Sequence, residues 1–222
     1  MRNIILVLLL LKIANPLIAQ ENLLQAASDL SMEARMNNGF IRPVNIEGTP
    51  YAKEDSSLGV FYQRNIKPIK AWAKLNYYFN NFEFVSNGKK NILDASIIDS
   101  VIVDKETFVF KNISVNGNNS SRAVKVIGKQ GGNSIYFFKS VEFQSEVKPG
   151  GYIDPKPARY LWVDPVYLFE KGDKIIPLNN FKMLIASFPN NEDQIKKFIK
   201  DNKIHKDNPD ELRKLLTFIS QF

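Results

Sequence analysis

Side chains that commonly carry enzyme chemistry are scarce in this sequence. It contains one histidine, His205, and no cysteine. A zinc site of the usual kind needs several such ligands, and a catalytic histidine needs fixed partners around it. His205 lies instead in a segment rich in lysine and aspartate. We therefore predict no metal site and no cofactor, and we interpret His205 as an ordinary exposed residue.

Motifs for nucleophilic catalysis and for phosphate binding are also missing. No G-x-S-x-G sequence occurs, and His205 could join a catalytic triad only through a distant contact. Residues 128–132 (GKQGG) resemble a phosphate-binding loop, but they lack the spacing of G-x-x-x-x-G-K-[ST]. We conclude that the sequence predicts no catalytic residue of these kinds.

A pair of carboxylates is the remaining catalytic alternative. A glycoside hydrolase needs two acids that face one cleft, about 5–10 Å apart. Six acids qualify by residue type: Asp94, Asp99, Asp104, Glu106, Asp154 and Asp164. Because nothing in their spacing separates them from ordinary turn and surface acids, a glycan-acting hydrolase is an alternative and not the main prediction.

Aromatic residues are abundant: the chain has 16 Phe, 8 Tyr and 2 Trp. Trp72 and Trp162 could form a platform on which sugars stack, and Tyr77 and Tyr78 could join it. Tyr152 lies in a loop rich in glycine and proline, and it is the best candidate for an exposed aromatic side chain. Trp72, Trp162 and Tyr152 are therefore our candidate binding residues. Alternatively, these rings build the core, since each buries a large area.

The elements that must position these residues are mainly strands. Apolar and polar residues alternate along much of the stretch from residue 57 to residue 143, as in residues 75–79 and 82–84, which predicts strands with one buried face. Residues 80–81 and 87–88 are typical of tight turns between neighbouring strands. Turn signals at intervals of about 8–12 residues favour an antiparallel meander or a small barrel.

The pattern changes to a helical period after residue 180. Residues 181–185 and 191–202 each place apolar side chains on one face. A last helix is predicted to start at Asn208 or Pro209, and its inward residues are Leu212, Leu215, Leu216 and Ile219. The fold class predicted is therefore α+β, an antiparallel β-rich domain followed by a short helical tail.

The domain boundaries follow from these patterns. Residues 20–180 are predicted to form the β-rich domain, which includes a short N-terminal helix at residues 21–38. Residues 181–222 are predicted to form a helical tail packed on that domain, because about 40 residues would be marginally stable alone.

The N-terminus has the features of a secretory signal peptide. A positive charge at Arg2 precedes the apolar run of residues 4–11, and the small residue Ala19 suits a peptidase pocket. This run is much shorter than the roughly 20 residues that cross a bilayer. We predict that residues 1–19 are a signal peptide cleaved after Ala19; an uncleaved membrane anchor is the alternative.

Composition narrows the expected location and partners. An exported chain without cysteine cannot form disulfides, which favours the bacterial envelope over eukaryotic secretion. The formal charge of +7 is spread along the chain instead of forming the concentrated stripe of a nucleic-acid-binding protein. We expect no nucleic acid as partner and no transmembrane segment after cleavage. The partner is left open between an envelope protein and a glycan.

Several short stretches resemble a known family. They are residues 47–51 with 58–60, residues 75–80 with 82–84, and residues 188–189 with 197–204. In these stretches the chain resembles uncharacterised exported proteins of Bacteroidota. The resemblance implies a periplasmic or outer-membrane-associated location in a Gram-negative bacterium, and strands followed by helices. It implies nothing about mechanism.

Together these observations predict a non-catalytic exported envelope protein, a binding or accessory module whose ligand is unknown. The glycan-acting hydrolase is one alternative. The other is a peripheral membrane protein whose lysine-rich tail helices, densest in charge at residues 196–206, lie on anionic lipid.

Overall fold

The computed structural model describes residues 46–86, 89–115, 117–147 and 156–222. The predicted signal peptide, the predicted N-terminal helix, the predicted turn at residues 87–88, Tyr152 and Asp154 lie outside these described residues.

Strands make up most of the described chain. They are β1 (Ile46–Glu47), β2 (Ser57–Gln63), β3 (Ile66–Asn76), β4 (Asn81–Ser86), β5 (Lys89–Ile92), β6 (Ser100–Val103), β7 (Glu106–Val115), β8 (Asn118–Gln130), β9 (Asn133–Phe138), β10 (Val141–Gln144), β11 (Ala158–Trp162), β12 (Val166–Lys171) and β13 (Lys174–Pro177).

Ten of these strands form one large antiparallel sheet in the order β13-β12-β9-β8-β7-β6-β2-β3-β4-β5. Strands β1, β11 and β10 form a separate small sheet, in which β1 and β11 run parallel. The predicted β-rich class and antiparallel arrangement are confirmed. The small-barrel alternative is not adopted, because the large sheet is open and has β13 and β5 as its edges. The strand order departs from a simple meander after β5, because the chain returns to form β6 on the other side of β2.

The part of the large sheet from β8 to β4 curls around a core. Phe82 of β4 is fully buried and makes edge-to-face contacts with Phe61 of β2 and Phe108 of β7. The backbone N–H of Ala123 in β8 donates to the carbonyl of Asn80 at 2.7 Å, so the β3–β4 turn touches a strand that is four places from β3 in the sheet. This curl creates the open end described below.

The helical tail packs on the other part of the sheet. It comprises α1 (Lys182–Ala186), a 3-10 turn (Pro189–Asn191), α2 (Glu192–Asp201) and α3 (Pro209–Ile219). Helix α3 starts at Pro209, one of the two predicted positions, and the side-chain oxygen of Asn208 caps it. The predicted inward residues of α3 are buried in one cluster with Ile135 and Phe169 of the sheet. Among the described residues, no helix has both the length and the apolar character needed to cross a bilayer.

Candidate ligand-binding site

A group of aromatic rings lies where the β3–β4 turn meets the small sheet. We call it the aromatic ledge, and its members are Tyr77, Tyr78 and Phe79 of the turn, Phe143 of β10, and Tyr160 and Trp162 of β11. The ledge thus joins three rings that are consecutive in sequence to three that come from strands about 60–85 residues further along the chain.

The rings of the ledge make contacts in two sets, Tyr77 with Trp162, and Tyr78 with Phe79, Phe143 and Tyr160. Most of these contacts are edge to face, the arrangement that aromatic quadrupoles favour. Ring centroids lie 5.1 Å apart for Tyr77 and Trp162, and 5.8 Å apart for Tyr78 and Tyr160. The ledge is nevertheless open to solvent: Trp162 is 41% exposed, and Tyr78 and Phe79 are each 39% exposed. It therefore offers aromatic surface that the core does not use.

Local hydrogen bonds hold the β3–β4 turn in shape. The buried side chain of Asn76 accepts the backbone N–H groups of Tyr78, at 2.9 Å, and of Phe79, at 3.2 Å. Asn residues bond their own backbone in this way and so end regular structure. The carbonyl of Tyr77 then accepts the N–H of Val141 at 3.1 Å, which attaches the small sheet to the turn.

Asn80 connects the same turn to the rest of the sheet. It is only 1% exposed and has a positive φ of 50°. Its side-chain amide donates to the carbonyl of Lys139 at 2.8 Å, and its side-chain oxygen accepts the guanidinium of Arg122, also at 2.8 Å. These polar contacts of the buried Asn80 therefore fix the position of the turn that carries the ledge.

A cleft of about 290 Å³ adjoins the ledge at the open end of the curled sheet. Tyr77 belongs to both, since its ring lines the cleft and contacts Trp162. Burial raises the pKa of Tyr77, and the nearby charge of Glu106 raises it further. Other walls of the cleft are formed by Ser57, Ala73, Leu75, Val103 and Phe108. The floor is thus apolar and the rim is polar.

Three carboxylates line the cleft, and two of them, Asp104 and Glu106, are paired with lysines, whereas no ion pair of Asp55 is seen among the described residues. Asp104 accepts the ammonium of Lys53 at 2.6 Å and the hydroxyl of Ser57 at 3.1 Å. Glu106 accepts the ammonium of Lys125 at 2.9 Å. The hydrogen bonds from Lys53 and Ser57 lower the pKa of Asp104 below its usual value. A general acid in a glycosidase needs the opposite shift.

Lys139 lies over the ledge. Its ammonium is 4.1 Å from the ring centroid of Trp162 and 5.8 Å from that of Tyr77, which are cation–π distances. Within the part of the chain that the structure describes, no ion pair involves Lys139. This lysine therefore puts positive charge beside the exposed rings.

The structure brings together only some of the predicted site residues. Trp162, Tyr77 and Tyr78 meet in the ledge, and Asp104 and Glu106 meet in the cleft. The remaining described acid candidates lie in connections outside the cleft: Asp94 and Asp99 between β5 and β6, and Asp164 between β11 and β12. Asp154 and Tyr152 are outside the described residues.

Trp72 lies on a different surface. Its neighbour Ala73 lines the cleft, and successive side chains of a strand point to opposite faces. Trp72 therefore points to the outer face of β3, where it pairs with Leu58 of β2. The structure does not place the two tryptophans on one platform.

His205 is exposed, and its Nδ1 lies 2.8 Å from a carboxylate oxygen of Glu211 in α3. The same carboxylate accepts the backbone N–H of His205 at 2.6 Å. Among the described residues, no group of three or more histidine and acidic side chains is arranged to hold a metal ion. His205 thus contacts the first turn of α3 through Glu211.

Sequence reasoning missed Phe79, Phe143, Tyr160 and Lys139. One signal was available in residues 77–79, where three consecutive aromatic residues cannot all point into one core from a strand. No local signal connects this turn to β10 and β11, because the connection depends on how the two sheets meet.

No protein family, no curated protein and no solved structure matches this chain. The ledge and the cleft are therefore the features from which a function is inferred.

Proposed function

We propose that this chain is a non-catalytic, exported binding module of a bacterial envelope, and that its ligand is a glycan that stacks on Trp162. The observation that carries this proposal is an exposed aromatic ledge that opens onto a cleft with a polar rim.

The ledge supports sugar binding through its surface chemistry. Exposed apolar groups rimmed by polar residues commonly mark ligand sites. A sugar ring has an apolar C–H face that packs on an aromatic ring, and the indole N–H and phenol O–H groups supply polar contacts at the edge. Trp162, Tyr78 and Phe79 provide such exposed rings: Trp162 contacts Tyr77, and Tyr78 contacts Phe79 and Tyr160.

The cleft supports it through size and polarity. A volume of about 290 Å³ is at the lower end of the range of small-ligand sites, which is roughly 300–1,000 Å³. That space suits one terminal sugar unit next to others stacked outside on the ledge. The Lys53–Asp104 and Lys125–Glu106 pairs place donors and acceptors around it, where sugar hydroxyls need them.

Binding without catalysis is supported by the state of the rim acids. Hydrogen bonds from Lys53 and Ser57 lower the pKa of Asp104, and Glu106 accepts the ammonium of Lys125. An acid pair that cleaves a glycosidic bond needs one protonated member at working pH. Export is supported by the charge at Arg2, the apolar run that follows it and the lack of cysteine.

The two tryptophans allow a direct test. The variant Trp72→Phe leaves Trp162 as the sole tryptophan, whose fluorescence is titrated with oligosaccharides prepared from bacterial envelopes. We expect a saturable change in emission. In a calorimetric titration, which needs no tryptophan reporter, we also expect Trp162→Ala to weaken binding roughly tenfold or more, because aromatic residues commonly dominate binding energy.

Trp72→Ala is the matched control, since it removes the other exposed tryptophan and should leave glycan affinity unchanged. Equal loss of affinity in the two alanine variants would contradict the proposal. Release of new reducing ends that stops in Asp104→Asn would replace it with the hydrolase alternative.

A further inference from the structure

A second exposed apolar surface lies on the outer face of the large sheet. We call it the outer patch, and its members are Leu58 of β2, Trp72 of β3 and Val85 of β4, which are 50%, 64% and 65% exposed. Leu58 pairs directly with Trp72, and the pairing of Ala73 with Phe84 puts Trp72 across from Val85. The three side chains therefore form one row across three neighbouring strands.

The patch belongs to the interior of the sheet and not to an edge. Strands β2, β3 and β4 each have hydrogen-bonded neighbours on both sides, in the order β6-β2-β3-β4-β5. Their backbone groups are already paired, so a partner cannot add a strand here. Whatever binds must contact the side chains from above the sheet.

Lysines flank this row. Lys90 of β5 pairs with Val85, and Lys70 of β3 pairs with Val60, which lies two residues from Leu58 on the same face. Both lysines are exposed, and among the described residues neither forms an ion pair. The rim of the patch is therefore basic.

The acid of the same face does not neutralise this rim. Glu83 of β4 lies two residues from Val85, but it is only 5% exposed. One of its oxygens accepts the hydroxyl of Tyr51 at 2.7 Å and the other accepts the side-chain amide of Asn76 at 2.5 Å. Both oxygens of Glu83 thus accept from neutral donors, and Glu54, an exposed acid beside this face, pairs with Lys74 at 3.7 Å. Neither acid pairs with Lys70 or Lys90.

We propose that the outer patch binds the surface of an anionic phospholipid bilayer. In this arrangement Trp72 enters the interfacial layer, which tryptophan prefers, and Leu58 and Val85 add apolar contact on each side of it. Lys70 and Lys90 contact the phosphates of the headgroups.

The size of the patch favours a bilayer over a protein partner. A stable protein interface involves about 20–30 residues on each side and a complementary shape. Three apolar side chains with two lysines fall far below that, whereas a fluid bilayer needs only a protruding apolar group and positive charge. The tail helices do not offer this combination, because Leu212, Leu216 and Ile195 are buried against the sheet.

Fluorescence again gives the test. The variant Trp162→Phe leaves Trp72 as the sole tryptophan. We expect its emission to shift to the blue with vesicles that contain phosphatidylglycerol and not with vesicles of phosphatidylcholine alone. High salt should reverse the shift, because exposed charges are screened.

Substitutions locate the effect in sedimentation with the same vesicles. Trp72→Ser should lower the partition coefficient roughly tenfold, because a large apolar side chain is lost from the interface. The double variant Lys70→Gln/Lys90→Gln should remove the preference for phosphatidylglycerol. Met183→Ser, at an exposed apolar residue of α1, is the control and should have no effect.

The apolar run at residues 4–11 would bind vesicles wherever it is retained, so each result is read as the difference between a variant and its parent. Three results would overturn the proposal. The first is equal binding to both kinds of vesicle. The second is a blue shift that depends on protein concentration without vesicles, which indicates that a second copy of the chain covers Trp72. The third is blue emission already in the free monomer, which indicates that other residues of the chain cover Trp72. None of these three results bears on whether the ledge binds a glycan.

Discussion

Single residues in the cleft are arranged for holding a ligand more than for proton transfer. Asp104 has a lysine and a serine as donors, and Glu106 has a lysine. These pairs are partly exposed, so they contribute little to stability, and their effect is to hold the carboxylates in place. The chemistry available at the rim is therefore hydrogen bonding to a polar ligand.

The pKa of Asp104 tests this arrangement. It lies below the usual aspartate value, first because Lys53 donates to the carboxylate. We expect Lys53→Met to raise it, as measured by the carboxyl carbon shift in an NMR titration. Since folding lowers this pKa, the pair stabilises the fold above the unfolded-state pKa, and that contribution disappears as the pH falls through the folded-state value.

Lys125→Met is the control for this titration, because it removes the partner of Glu106 and leaves Lys53 in place. If Lys53→Met leaves the titration midpoint of Asp104 where it was, the ion pair does not exist in solution.

At the scale of elements, periodicity predicted most strands and all the tail helices of the described chain, and local side chains decided their ends. The alternation of residues 75–79 predicted a strand to Phe79, but β3 ends at Asn76, whose side chain binds the backbone of the turn. Residues 118–121 are all polar, yet they belong to β8. Strands β7 and β8 extend as a hairpin to the pair Val115–Asn118, where polar side chains are tolerated because the strand is largely solvated.

The contact between the β8–β9 turn and α3 gives a test at this scale. Gly131 and Gly132 both have positive φ, so alanine strains the backbone at either position. A Cβ on Gly131 would lie 2.9 Å from the Cβ of Ser220 and 3.0 Å from its carbonyl oxygen, whereas a Cβ on Gly132 meets nothing within 4 Å. We expect Gly131→Ala to destabilise the protein by about 1–3 kcal/mol more than Gly132→Ala, in urea unfolding.

Equal losses in these two variants would mean that the end of α3 does not pack on this turn. The hydrogen bond from the Ser220 hydroxyl to the carbonyl of Gln130, at 2.9 Å, would then be absent as well.

At the scale of the whole molecule, the curl of the large sheet depends on contacts between distant strands. Asn80 makes three of them, to Ala123, Arg122 and Lys139. The same contacts hold the β3–β4 turn against the small sheet, so the shape of the ledge and the curl of the sheet are one structural feature.

Asn80→Ala should therefore loosen both the curl of the large sheet and the attachment of the ledge. Asn65, in the β2–β3 turn, also has a positive φ but is exposed, so Asn65→Ala carries the same backbone strain without loss of the network. We expect Asn80→Ala to cost about 2–3 kcal/mol more in free energy of unfolding, because Arg122 and the carbonyl of Lys139 lose a buried partner. Glycan affinity should fall in parallel. A difference near zero between the variants would show that the turn does not depend on this side chain.

Much of the fold was determined by the sequence alone, because it depends on local patterns. Alternating residues imply a sheet with a buried face, and the helical period with the Asn208–Pro209 start implies α3. Local patterns also nominated Trp162, Tyr77, Asp104 and Glu106 individually. Export and the bacterial envelope remain predictions from the N-terminal residues and the composition.

Only the tertiary structure decided which nominated residues meet. Trp162 contacts Tyr77 because the chain leaves the large sheet after β9 and forms β10 and β11 of the small sheet beside the β3–β4 turn. No local pattern encodes this contact, because the two residues are far apart in the sequence. Trp72 is separated from them because it is one residue from Ala73, and the two-residue period of a strand sends these neighbours to opposite faces. Residue type thus nominated the candidates, while strand register and the meeting of two sheets sorted them into a ledge and an outer patch.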